Sequence, residues 1–497
     1  MMQSQQGGTL ITTAQMVEGA EAGLPPADAQ KSHPERKSGR SGTSKVTTTF
    51  PGRVLPAAGA GLDRLRLPVP VALYLLSVVT PVTMQLGPIY MTLTRAYLVV
   101  MFLPLLAMLF SGRAGKVTLT DILLIGHGAW MAVALQANNP GQMVTQVGSI
   151  VPDFLGGYLI ARIYIRTPEQ FMALARWMGI LIACLLPFAL YESRTGVPLI
   201  IQTIKKLPLV GSYSNVTTEK RLGLERVQGV MVNPIHFGVL CSTAFSMTVV
   251  ALYGVLSKTR RLLTGAAVAL CAFLSLSSGA FLALMMQIML LAWYWTFRRT
   301  GFPWLLLTGW AAFCYIVIDL LSTRAPIQVF FSYATFSPHT AYWRGMIFEW
   351  GMKNVWANPF LGIGLNNWER PWFMFSGSMD NFWLVMAVRY GIPGFLFLAV
   401  GYLSALWRVG RRDFDGDARM ILLRRAWMLT MVGLTFSLCT VHIWTTIHSY
   451  VFFLFGAGMW FLTAEPRREC ETDGTGPETA PPPRGAPYTR FPQRPRG

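Results

Sequence analysis

The stretch SMDNFWLVMAVRYGIPGFLFLAV, residues 378–400, reads as a membrane helix with an acid at its mouth and an arginine along its length. From Phe382 onward it is almost wholly apolar, and a run of about 20 such residues is what a ~30 Å hydrocarbon core requires. An ionised side chain at membrane depth costs roughly 2.5–3.5 kcal/mol on insertion scales, so charges kept there usually face protein or water and mark a site. Asp380 opens the helix and Arg389 follows within it. At a rise of ~1.5 Å per residue the two stand roughly 13 Å apart, too far for direct contact.

Runs of the same kind recur from residue 68 to residue 463. Of 497 residues 53% are hydrophobic and 13% charged, against about 25% charged in a soluble domain. The pattern predicts an all-α polytopic integral membrane protein with about twelve transmembrane helices. These fall near 68–86, 93–111, 118–136, 144–164, 171–191, 230–254, 262–277, 279–297, 302–322, 382–406, 422–440 and 444–463. The net charge of +19 does not point to nucleic acid, because the basic residues are shared among short loops between apolar helices. With the N-terminus in the cytoplasm, the inner loops hold Arg113, Lys116, Arg162, Arg166, Lys258, Arg260, Arg261, Arg298, Arg299 and the arginines from Arg408 to Arg425. The short outer loops QANNPGQ and TVHIWT have no Lys or Arg. That asymmetry leaves both termini cytoplasmic.

Residues 1–66 are rich in Gly, Ser, Thr and Ala without a periodic apolar face and read as a disordered cytoplasmic tail. They are too long and polar for a signal peptide. Residues 464–497 form a second, Pro-rich and basic tail, so the membrane domain is 67–463. The six cysteines are scattered without a CxxC pair and indicate neither a disulfide framework nor a zinc site.

Two connections are long, 192–229 and 323–381, and both fall outside; long loops between packed elements are often functional. Most of their cations, Lys205 and Lys206 among them, read as solvated. Arg226 and Arg344 sit in more distinctive surroundings. In LERVQGVMVNPIHFGVL (224–240), Arg226 precedes the Asn233-Pro234 pair, which breaks or starts a helix at the outer end of a span. In AYWRGMIFEWGMKNVWANPFLGIGLNNW (341–368), Trp343, Met346, Ile347 and Trp350 recur at i, i+3, i+4 and i+7. The expectation is an amphipathic helix lying flat at the outer membrane interface, with Arg344 turned about 100° away from Trp343 toward an outer cavity.

An arginine before an Asn-Pro helix start, then R-x5-W…NP-F-LG-x-G, then a polar pair opening a helix that runs to YG-I-P-G resembles the O-antigen ligase and polymerase family over about 224–400. The resemblance implies a fold related to the C-type glycosyltransferases, with the large loop between spans 9 and 10 over a cavity facing the periplasm. It implies a bacterial inner-membrane enzyme that moves a glycan from undecaprenyl pyrophosphate to an acceptor hydroxyl, in O-antigen, capsule or exopolysaccharide biosynthesis, with polymerase preferred to ligase. The implied partners are that lipid-linked donor, a glycan or lipid acceptor, the bilayer and polysaccharide export machinery; no cofactor is implied. Carried over by position, Arg226 and Arg344 match the two arginines that members use on the lipid pyrophosphate. The residue that opens the post-loop helix, usually a histidine followed by asparagine and thought to act as base, is here Asp380 followed by Asn381. Two further departures are Ser277-Ser278-Gly279 in place of a frequent Ser-Arg-Gly, and Arg389 where members often have an acid.

The chemistry agrees independently. Glycosyl transfer from a lipid pyrophosphate needs cations on the departing pyrophosphate and a base on the acceptor hydroxyl. Guanidinium groups meet phosphate oxygens in bidentate fashion and stay charged. With no DxD pair in an outer loop, arginines would stand in for a metal. An aspartate of ordinary pKa ~3.9 is ionised at neutral pH, and burial raises it toward a better base. Asp380 reads equally as a helix N-cap, and Arg389 as the partner of an acid on another span, such as Asp153. Asn233, His236, Asn381 and Arg389 are candidates for substrate contact, His236 being as readily a packing histidine. His339 is the reserve base, with Glu349 behind it. Arg95, Asp121 and Asp153 read as buried structural pairs. The main rival function is a secondary transporter or lipid-linked glycan flippase, against which stand the absence of a repeat between halves and the placing of the strongest motifs in outer loops. An inactive scaffold relative is a third reading.

Overall fold

A computed structural model describes residues 65–87, 89–321, 338–414 and 416–465. The two expected tails lie almost wholly outside these residues, as do Arg324 and the His339 side chain. In chain order the elements are α1 (Val69–Val79), β1 (Thr83–Leu86), β2 (Ile89–Thr92), α2 (Leu93–Phe110), α3 (Leu119–Asn138), α4 (Pro140–Val151) and α5 (Gly157–Tyr164). Then come α6 (Pro168–Thr195), α7 (Leu199–Lys205), α8 (Pro234–Ser246), α9 (Lys258–Leu274), α10 (Ser278–Phe297), α11 (Pro303–Leu321) and α12 (Pro338–Ala357). The last are α13 (Phe382–Arg411), α14 (Ala418–Leu438) and α15 (Thr446–Gly456). π-helical turns at Pro152–Gly156 and Met247–Ala251 link α4 to α5 and extend α8. Among the described residues, 8 helices are long and apolar enough to cross a membrane. The chain is a helical, multi-pass membrane protein.

Short polar caps separate these apolar helices. Thr118 and Asp121 form a capping box on α3, Thr167 and Gln170 form one on α6, and Asp417 accepts the N–H groups of Arg419 and Met420 to start α14. The segment Pro234–Ala251 runs through the middle of the bundle, whereas α11 buries no residue and stands at its edge. The two acids of the early spans are both paired inside the protein. Asp153 in the first π turn meets Arg95 at 2.7 Å. Asp121 accepts the Tyr158 hydroxyl and lies 3.6 Å from Arg162. Asp153 is therefore not the partner of Arg389.

The first expected span is cut short. Pro81 cannot continue a helix, and α1 ends at Val79, about 16 Å long at the helical rise. The alternating TMQL and IYMT then pair as an antiparallel hairpin with Thr83 opposite Thr92. Thr83 also exchanges backbone hydrogen bonds with Gly211 of the first long loop, at 2.9 and 2.8 Å.

α13 is two helices joined across a kink at Gly391, whose backbone sits at φ 71°. The break frees carbonyls of the preceding turn, and the GIG turn takes them. Ile363 N–H donates to Val388 (2.9 Å), Gly364 N–H to Arg389 (3.0 Å), and Ile392 N–H turns back to Pro359 (2.7 Å). A Cβ at position 391 would run into the Phe360 carbonyl, so only glycine fits. Asn139 at the α3–α4 corner clamps the other side of the same turn, its Oδ1 accepting from Leu365 N–H at 2.8 Å.

The apolar stripe of α12 faces inward. Trp343, Met346, Ile347 and Trp350 pack on the protein core, and Gly351 lets the helix press onto Leu384 of α13. Tyr342, Phe348 and Trp356 are the exposed apolar residues of this helix. The periodicity gave a buried face correctly, but protein covers it where the membrane interface was expected.

Candidate functional site

The loop carrying Arg226 is fixed on both sides. Glu225 N–H donates to Ser193 at the end of α6 (3.0 Å), and Val227 N–H to Leu274 at the end of α9 (3.1 Å). The Glu192 carboxylate accepts from Gln228 N–H at 2.6 Å and Gly229 N–H at 3.0 Å, so the YESRTG ending of α6 serves as the loop's anchor. The buried Nε of Arg226 has no hydrogen-bond partner among the described residues. Burial and the like charge of Arg221 pull it down to about 10, which leaves it charged at neutral pH.

Arg344 on α12 has both Nε and Nη1 buried and without a hydrogen-bond partner among the described residues. Burial lowers its pKa, the Asp380 carboxylate raises it and Arg221 lowers it. Arg221 thus lies within electrostatic reach of both other arginines. A turn with Leu222 at φ 54° and Gly223 at φ 74° folds Arg221 back against Leu224. Its Nη1 donates to the Leu276 carbonyl at 2.8 Å, in the corner between α9 and α10. The sequence does not single out Arg221 among the loop cations. The signal was the R-L-G-L turn, whose glycine supports the left-handed backbone.

Asp380 stands half-buried before α13, its Oδ1 accepting from the Ser378 hydroxyl at 3.1 Å. It is not the cap. Asn381 caps α13 by accepting Leu384 N–H at 3.1 Å, and Asn233 caps α8 in the same way with His236 N–H at 2.8 Å. Both asparagines therefore start helices, and the Asp380 carboxylate is not spent on one. Phe382 N–H donates to Val441 at 3.0 Å. Gly279 packs against Thr440 and Val441, joining the Asp380 segment to the corner that holds Arg221.

A second group lies along the loop before α15. His236 is fully buried, its ring 4.2 Å from that of Trp444 and its Nε2 3.4 Å from the His442 carbonyl, while its Nδ1 has no partner. His442 also has a buried Nδ1 without a partner. Burial and the nearby Arg389 charge lower it to about 3, so its ring is neutral at physiological pH. His442 and His448 are six residues apart, off a shared helical face, so the sequence supports no metal role for His442 and offers no other. Glu349, by contrast, faces solvent in an i,i+4 pair with Lys353 at 2.9 Å.

Buried guanidinium N–H groups without partners are costly and uncommon. Here they come from two different elements, with Arg221 and one carboxylate alongside. An anion with several oxygens would satisfy them, and the carboxylate could receive a proton beside it. Residues 263–399 match the family model described as O-antigen ligase. The match includes Arg344, Asp380, Asn381 and Arg389 and leaves Arg221, Arg226, Asn233 and His236 outside. No curated protein matches the chain. Over those residues the chain is similar to the O-antigen ligase family, a match that supports an O-antigen ligase/polymerase assignment and, in general terms, glycosyl transfer, on a helical multi-pass membrane fold.

Proposed function

We propose that this chain transfers an oligo- or polysaccharide from undecaprenyl pyrophosphate to an acceptor hydroxyl at the periplasmic face of the inner membrane. The observation that supports the reading is the set of buried guanidinium nitrogens without a hydrogen-bond partner among the described residues, Nε of Arg226 and Nε and Nη1 of Arg344, with Arg221 and the Asp380 carboxylate within electrostatic reach of Arg344. Arg226 and Arg344 would hold the pyrophosphate and Arg221 would add charge beside them. Asp380 takes the proton of the acceptor hydroxyl as its oxygen attacks the anomeric carbon. The new C–O bond forms as the bond to the phosphate oxygen breaks, and undecaprenyl pyrophosphate leaves with its added charge on the arginines. The arginines do the neutralising, so the reaction proceeds without a metal. Arg389 and His442 are the proposed further contacts, with His339 in reserve, while Asn233 and Asn381 shape the site as helix caps and His236 as a buried packing residue. The proposed topology has twelve spans, both termini cytoplasmic and the loops 192–229 and 323–381 in the periplasm. The product enters polysaccharide export as a polymer ahead of a ligated chain.

A broken helix such as α13 would also suit a transporter or flippase, where freed carbonyls coordinate an ion. In this chain the carbonyls of Val388 and Arg389 both accept from the GIG turn, which favours a rigid scaffold over an ion site. Deletion of the gene followed by gel analysis of surface glycans tests the function. Loss of long chains with single repeat units retained is expected. Accumulation of lipid-linked polymer without attachment would assign a ligase, and unchanged glycans would overturn the reading.

A further inference from the structure

A cavity of about 450 Å³ opens between the α8 extension, α9, α10 and α14, walled by Val250, Ile288, Leu291 and Leu422 and edged by Arg261 and Arg298. It is far from the candidate site. The Arg221 anchor is at Leu276, past the C-terminal end of α9, whereas Arg261 is in the first turn of that helix. Fifteen residues at the helical rise separate them by about 22 Å along the axis, so the cavity belongs to the opposite membrane face.

Among the described residues its charged groups are all cationic. No acid lines it. The Arg261 guanidinium lies over the Tyr253 ring at 4.5 Å, which engages its face. Its Nε and Nη1 remain buried without a hydrogen-bond partner among the described residues. Arg425 stacks on Tyr294 at 3.6 Å and Arg298 lies 5.7 Å from the Trp295 ring. Trp295 is 65% exposed on the outer surface of α10, and tryptophan favours the level of the lipid headgroups. A volume of this size lined almost entirely by carbon suits hydrocarbon. The Nε and Nη1 of Arg261, without a hydrogen-bond partner among the described residues, suit a phosphate oxygen.

We propose that this cavity binds an anionic glycerophospholipid of the leaflet opposite the candidate site, with an acyl chain in the pocket and the phosphodiester on Arg261. Basic pockets between transmembrane helices are suited to anionic headgroups, and the absence of an acid gives a choline or ethanolamine group nothing to meet. The inference stands apart from the proposed transfer reaction.

The test uses the full chain purified in detergent and titrated with phosphatidylglycerol, with phosphatidylcholine of the same acyl chains, or with inorganic phosphate. Bound lipid is counted by native mass spectrometry and thermal unfolding is followed in parallel. Phosphatidylglycerol should be retained and raise the melting temperature, while the other two should not. Arg261→Gln should weaken that binding by about tenfold or more, the loss of a charge-assisted contact. If that variant does not accumulate, Arg298→Gln reads the same edge and should also bind more weakly. Equal binding of the two lipids, or wild-type retention of phosphatidylglycerol by the variant, would overturn the proposal. A full thermal shift from phosphate alone would make it a free-anion site and equally overturn the lipid assignment.

Discussion

Replacing Asp380 with asparagine is expected to lower glycosyl transfer by about 10²–10⁴-fold, the usual contribution of a general base, with little change in melting temperature. The expectation rests on the division of labour at the start of α13. Asn381 supplies the cap and Phe382 ties the segment to Val441, so neither depends on the Asp380 carboxylate. The one hydrogen bond it accepts comes from Ser378, and an asparagine oxygen can accept it as well. The carboxylate also supports the charge of Arg344. Loss of that support alone would weaken donor binding and raise KM, whereas loss of the base lowers kcat. Asp380→His, which brings in the residue usual in the family, should retain part of the activity. A near wild-type rate for Asp380→Asn would end the base assignment and turn attention to His442 and His339.

Arg344→Lys and Arg226→Lys should each lose about 10²-fold in transfer, the scale of removing one well-placed donor from a developing charge. Lysine keeps the charge and loses the planar fork. The stability outcome separates this role from a structural one. Desolvating a guanidinium whose Nε and Nη1 make no hydrogen bond among the described residues is a cost of folding that the Asp380 charge offsets only in part, so removing it should not harm the fold. Arg344→Gln is expected to accumulate in the membrane and to melt no lower than the native protein. A structural arginine would show the reverse, with a large loss of melting temperature accompanying any loss of activity. Full activity in both lysine variants would remove the pyrophosphate role. Arg221→Lys should have a smaller effect, because one of its nitrogens is already given to the Leu276 carbonyl.

Long apolar runs were legible because length and hydropathy are local properties. α2, α3, α6 and α10 stand where the runs predict them. The first run was misread through the same averaging: TMQL and IYMT are apolar enough to extend a helix, and only Pro81 and the alternation mark the hairpin. In α12 the period of the stripe was readable, yet a period reports that a face is covered and not by what. Ion pairs were half legible. Arg95 and Asp153 could be recognised as needing partners, but their pairing joins positions far apart in sequence. At the site, Arg226 and Arg344 were visible through their neighbours, Asn-Pro and the tryptophan repeat. Arg221 was not, because its position depends on a left-handed turn and on the corner after α9. The choice between Asp380 and Asn381 as cap was equally hidden, since either residue type caps well.

Purified native chain in lipid nanodiscs, given an undecaprenyl-pyrophosphate-linked oligosaccharide and a glycan acceptor in the presence of EDTA, tests the central claim most directly. Mass spectrometry should find the extended or attached glycan and an equal amount of released undecaprenyl pyrophosphate, undiminished by the chelator. A folded preparation that leaves the donor intact with every acceptor, or moves it unchanged between leaflets of a proteoliposome, would contradict glycosyl transfer by this protein.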